Sequence, residues 1–140
     1  MRPVSTEHRY RLSGLVASAI SVFLLAACGG GSGDLLAIEV TGAPGGGQRI
    51  TVASDGRARC NGPDLKQISS EQVIDAREIE REVYGLARDG ESFEADARGS
   101  RRYSLRTDDG SVRWAEGASG LPKVLARTQL FALQLGRRLC

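Results

Sequence analysis

The chain has 140 residues, a formal net charge of +2, 41% hydrophobic and 26% charged residues, three Cys and one His. That is one domain's worth of sequence, too apolar and too evenly charged for a disordered chain. The balance of 19 basic against 17 acidic residues has no polybasic tract and leaves no footprint for nucleic acid.

Arg2, Arg9 and Arg11 stand against one acid, Glu7, in the first residues, and Leu12 to Ala27 carry no charge. A positive head, a short apolar core and a small-residue end make a secretory signal peptide. The apolar stretch is short for a transmembrane helix, which needs about 20 residues. It ends in Leu25-Ala26-Ala27-Cys28, followed by Gly29-Gly30-Gly31-Ser32-Gly33. Leu-Ala-Ala-Cys resembles the lipobox of bacterial lipoproteins. The resemblance implies cleavage between Ala27 and Cys28, a diacylglyceryl thioether on Cys28 and acylation of the new amine. Two or three acyl chains make a stable membrane anchor where one is marginal. Residues 28–34 then serve as lipidated cysteine and flexible tether, and residues 35–140 as a single domain. Gly29 resembles the residue that lets Gram-negative sorting send lipoproteins to the outer membrane; in a cell without one, the anchor sits on the outer face of the plasma membrane.

Removing residues 1–27 takes away three arginines, one glutamate and His8, the only histidine. The acidic and basic side chains of the remaining chain are then equal in number. Triads and metal sites that need His are excluded from it. Cys60 and Cys140 are left in an oxidising compartment, where a free exposed thiol is unfavourable, and the simplest pairing is a Cys60–Cys140 disulfide.

Leu35–Thr41 reads as a strand, followed by a Gly/Pro turn over residues 42–47 and a second strand, Arg49–Ala53. Gly45-Gly46-Gly47 is a weak phosphate-loop candidate, since a strand and not a helix N-terminus follows it. Ser54-Asp55-Gly56 is best taken as a three-residue hairpin loop with Gly third, where the backbone needs positive φ. Val52 then faces Ala58 and Ile50 faces Cys60, all four on one side. Ser69 and Gln72 form a capping box for a helix over about Ser70 to Arg88. Val73, Ala76, Ile79, Val83 and Leu86 lie on one stripe of it, with Ile74 and Ala87 beside them. Glu91–Gly99 is polar and reads as a loop. Arg102–Asp108 and Ser111–Ala115 form a second hairpin around Asp109-Gly110, a register that sets Leu105 against Trp114 and Thr107 against Val112. Leu121-Pro122 opens a last helix to about Leu139. Its apolar row is Val124, Thr128, Phe131 and Leu135, flanked by Leu125, Ala132 and Leu139 and widened by Leu130 and Leu133. The expected fold is α+β: a small, mostly antiparallel sheet of two hairpins with two helices packed on one face.

Three features bear on chemistry. Asp108-Asp109 and the acidic helix face can host paired carboxylates for acid/base work or a cation, although Asp109 also serves the turn and helix carboxylates usually form a solvated face. Arg98, Arg101, Arg102, Arg106 and Arg113 are denser, and Arg102, Arg106 and Arg113 share the polar face of the second hairpin. That face suits an anionic lipid or an acidic partner, or serves only for solubility. Trp114 is either a partner's anchor or core. No catalytic residue, metal ligand or cofactor is assigned.

Ile50-Thr51-Val52 leading to Asp55-Gly56, the helix from Ser70 to Arg88, Tyr103-Ser104-Leu105, Asp109-Gly110-Ser111-Val112-Arg113-Trp114 and Pro122 together form a layout. It resembles that of emfourin-type proteins, small inhibitors of thermolysin-like metalloproteases. The likeness spans about Ile50 to Leu135, rests on turns and apolar positions, and does not include Cys60 or Cys140. It implies a non-enzymatic protein that binds a protease, and no inhibitory residue can be matched by position. The alternative is a carboxylate-based enzyme or a cation-binding envelope protein.

Overall fold

The computed structural model describes residues 33–42, 44, 46–95 and 101–140. The signal segment, Ala27, Cys28, most of the tether and Arg98 lie outside the described residues.

Nine elements follow one another: β1 (Asp34–Thr41), β2 (Gln48–Ala53), β3 (Arg57–Cys60), β4 (Lys66–Gln67), α1 (Ser70–Asp89), β5 (Ser92–Phe93), β6 (Arg102–Thr107), β7 (Gly110–Ala115) and α2 (Lys123–Leu139). The strands form one seven-stranded sheet in the order β4-β3-β2-β1-β6-β7-β5. It is antiparallel throughout except at β5, which pairs parallel to β7. The α+β class stands, with the two expected hairpins at β2–β3 and β6–β7. The sequence did not announce that β1 would lie between them, nor that β4 and β5 would extend the edges. Each edge strand is only two residues long, too short to show in a period-two pattern.

The β2–β3 hairpin has the expected register, Val52 opposite Ala58 and Ile50 opposite Cys60. Gly56 supplies the positive φ of 84°. Asn61 then closes the open end: its backbone N–H donates to the Arg49 carbonyl at 2.9 Å, and its side-chain oxygen accepts from the Arg49 N–H at 2.8 Å.

The second hairpin differs from expectation. Thr107 pairs with Gly110, Leu105 with Val112 and Tyr103 with Trp114, so the turn is Asp108-Asp109. The pairing has slipped by two residues, which leaves every side chain on its expected face. The cause lies outside the hairpin. Gly110 has φ 146°, and a Cβ there would overlap the carbonyl of Ala87 at the end of α1. The glycine is needed where the helix end meets the strand, and two ordinary aspartates make the turn.

Alternation along the strands puts Leu36, Ile38, Val40, Ile50, Val52, Ala58, Tyr103, Leu105, Val112 and Trp114 on one face, all buried. Helix α1 covers it over β1, β6 and β7, and α2 covers it over β2 and β3. Helix α1 starts at Ser69 with both hydrogen bonds of the capping box in place and stops at Gly90, which adopts φ 67°. It buries Ala76, Ile79, Val83 and Ala87, while Val73 and Leu86 are half-buried and Ile74 is exposed. Helix α2 begins one residue after Pro122 and buries Val124, Leu125, Thr128, Phe131, Ala132, Leu135 and Leu139. Leu130 and Leu133 do not widen that arc; they are 62% and 38% exposed. At about 100° per residue, Leu130 points nearly opposite to Thr128, away from the sheet. Tyr103 and Trp114 stack with ring centroids 5.3 Å apart, so Trp114 is core and not an exposed anchor. Burial raises the pKa of the Tyr103 phenol, and nearby Glu116 adds to the shift.

The sulfurs of Cys60 and Cys140 lie within disulfide distance, with Cα atoms 5.4 Å apart. The link ties the end of α2 to β3. Among the described residues, the buried core cluster lies between Leu36 and Leu139, so this part of the chain supplies a hydrophobic core of its own.

Gly85 is exposed on α1, and a Cβ there would meet nothing within 4 Å. Gly85→Ala is therefore expected to stabilise the domain by about 0.5–1 kcal/mol through helix propensity and lost unfolded-state entropy. A rise in the urea midpoint at constant m-value is the expected readout; a lowered midpoint would mean that Gly85 has a role the packing does not reveal.

Candidate binding face

Among the described residues, no helix lies over the other face of the sheet. Its residues follow from the same alternation, now read at the odd positions of β1, β2, β3 and β7 and the even positions of β6. Strand pairing arranges them in cross-strand rows. One row runs Arg59, Thr51, Ala37, Arg106, Ser111, and the next runs Arg49, Glu39, Ser104, Arg113. A third pairs Thr41 with Arg102 and Ala115. Arg102, Arg106 and Arg113 all lie exposed on this face.

The arginines are not equivalent. Arg49 is held by Glu39, Arg59 reaches Asp34 at 3.5 Å, and Arg102 meets Glu94 at 3.1 Å. The side chains of Arg106 and Arg113 have no ion pair or hydrogen bond among the described residues. They sit diagonally on β6 and β7, with Ser104 and Ser111 at the other two corners. The four residues line a cleft of about 180 Å³ together with Ala37, Glu39 and Arg49. Next to it a second cleft, of about 290 Å³, runs past Glu39, Thr41, Glu94, Arg102 and Ser104. Ser104 and Ser111 line them together with arginines and the carboxylates of Glu39 and Glu94. Such a surface offers guanidinium forks and hydroxyls to an oxyanion.

Arg49 and Glu39 escaped the sequence reading, although a signal was present. Ile38 and Val40 point inward, so Glu39 must point outward, and Ile50 and Val52 place Arg49 likewise.

The carboxylates form no comparable site. Asp75, Glu78 and Glu82 on α1 converge on Arg127 of α2 at 2.8, 2.5 and 3.2 Å. The hydrogen bonds that Arg127 donates to Glu78 and then Asp75 push its pKa further above its usual value. The cluster ties the two helices together at the surface, where such pairs contribute little singly and more as a network. Asp108 and Asp109 are exposed turn residues. Among the described residues, no group of three or more His, Cys, Asp or Glu side chains is placed to hold a metal ion.

No family model, curated protein or solved structure matches this chain.

Proposed function

We propose that this chain is a lipid-anchored protein of the bacterial cell envelope whose domain acts by binding another protein. The specific form of the proposal is inhibition of a thermolysin-like metalloprotease. The observation that carries the binding reading is the sheet face opposite the helices, where the Arg106 and Arg113 side chains have no partner among the described residues and line a cleft with Ser104 and Ser111. Uncompensated guanidinium groups on an open, rigid sheet suit recognition of acidic groups on a partner. The anchor rests on Leu25-Ala26-Ala27-Cys28, and the inhibitor form on the emfourin-like layout from about Ile50 to Leu135.

Two experiments test these parts separately. Cys28→Ser is expected to move the protein from the membrane fraction to the soluble fraction of its own cell type; retention that only detergent reverses would overturn the anchor. The chain from Gly29 onward, mixed with a thermolysin-like protease, is expected to abolish peptide cleavage at near-equimolar amounts. Slow digestion of the domain without inhibition would overturn the inhibitor form and leave the binding domain without its named partner.

A further inference from the structure

The uncovered face also has a spacing that narrows the partner's chemistry. We infer that the Arg106–Arg113 cleft binds an extended acidic segment of a partner protein, one whose carboxylates fall on alternate residues. This rests on the binding reading above and deepens it. Arg106 and Arg113 are diagonal neighbours across β6 and β7, a relation that puts their side-chain origins about 7–8 Å apart. Residues i and i+2 of an extended chain are about 6.6–6.8 Å apart and project to the same side. Two alternate Glu or Asp side chains therefore meet the two guanidinium groups together, each with a bidentate pair of hydrogen bonds. Adjacent acidic residues would send one carboxylate away from the sheet. Ser104 and Ser111 fill the other corners with hydroxyls short enough to leave room for the bound segment.

The acids on the face argue against a bilayer as the occupant. Glu39 lies in the middle row beside Arg49, and Glu94 stands at the rim with Arg102. A flat anionic membrane would press both against lipid phosphates, and like charges so placed disfavour the contact. A single extended segment crosses the cleft at Arg106 and Arg113 with Glu94 outside it, and Glu39, which lines it, is paired with Arg49.

The test uses the chain from Gly29 onward and two synthetic ten-residue peptides of equal composition. One alternates Glu and Thr; the other sets its Glu at positions 1, 2, 5, 6 and 9, so that no two fall on alternate residues. The alternating peptide is expected to bind about tenfold more tightly than the other, by calorimetry at low salt, and to weaken as salt rises. Arg106→Gln or Arg113→Gln is expected to cost about tenfold each, the loss of one charge-assisted pair. Arg137→Gln, on the exposed side of α2, should change nothing. The inference fails if the two peptides bind alike, if neither binds at millimolar concentration, or if the two variants bind like the unaltered domain. It also fails if phosphatidylglycerol vesicles, and not the peptide, are held in an Arg106- and Arg113-dependent way. The measurement needs neither protease nor anchor. A domain that binds the alternating peptide and inhibits no protease overturns only the inhibitor form. Inhibition that survives in the double variant, with no peptide bound, overturns only this inference.

Discussion

Opening the Cys60–Cys140 link is expected to lower the unfolding free energy by about 4–5 kcal/mol, the loop entropy released when a bridge spanning 80 residues is cut. Domains of this size are stable by only about 5–15 kcal/mol, so the loss is a large share of the total. The geometry explains why the effect should be global. Cys140 directly follows the last turn of α2, whose Phe131, Leu135 and Leu139 pack into the one core. Cys60 ends β3, near the edge of the sheet that α2 covers. Without the link, α2 is held by side-chain packing and by the Arg127 ion pairs to α1. Urea unfolding of the oxidised domain against a Cys60→Ser, Cys140→Ser double variant reads the difference. An unchanged midpoint, or free thiols at both positions by non-reducing mass spectrometry of the exported protein, would contradict the assignment.

Gly110→Ala is expected to destabilise by about 3–4 kcal/mol, from two sources that act together. The φ of 146° is a region that side chains rarely adopt, at a cost of about 1–3 kcal/mol. The new methyl would also have to displace the Ala87 carbonyl at the end of α1, and overpacking of that kind costs about 1–3 kcal/mol. Asp109→Ala, one residue earlier and exposed, is expected to stay within about 0.5 kcal/mol. The contrast discriminates between registers. If the turn were Asp109-Gly110, the two central positions would carry the demand for positive φ together, and both variants would suffer. In the observed register only the glycine meets the helix. Thermal or urea unfolding of the two variants measures this, and equal losses would reject the register.

Much of the molecule is legible in the chain itself, for local reasons. The β2–β3 register follows from the place of Gly56, because one glycine in a three-residue loop decides which residues can pair. The limits of α1 follow from Ser69, Gln72 and Gly90, since capping acts within one turn. The outward placement of Arg102, Arg106 and Arg113 follows from alternation, which a two-residue slip does not disturb. Leu130 and Leu133 belong here too: helical geometry alone turns them from the sheet, and apolar character was the wrong guide.

Other features wait on the tertiary structure, because they depend on which elements become neighbours. The second hairpin turns at Asp108-Asp109 because α1 approaches Gly110, and nothing near Gly110 in the chain reveals that Ala87, at the end of a distant helix, lies against it. The candidate site has the same origin. Sequence alone places several arginines on one face as equals. The strand order β2-β1-β6 then sets Glu39 beside Arg49, and Glu94, just after β5, meets Arg102, which leaves the Arg106 and Arg113 side chains without partners among the described residues. Alternation is a property of one strand, and so its consequences can be read along the chain. Charge pairing is a property of strand order, which the chain acquires only when β1 inserts between the two hairpins.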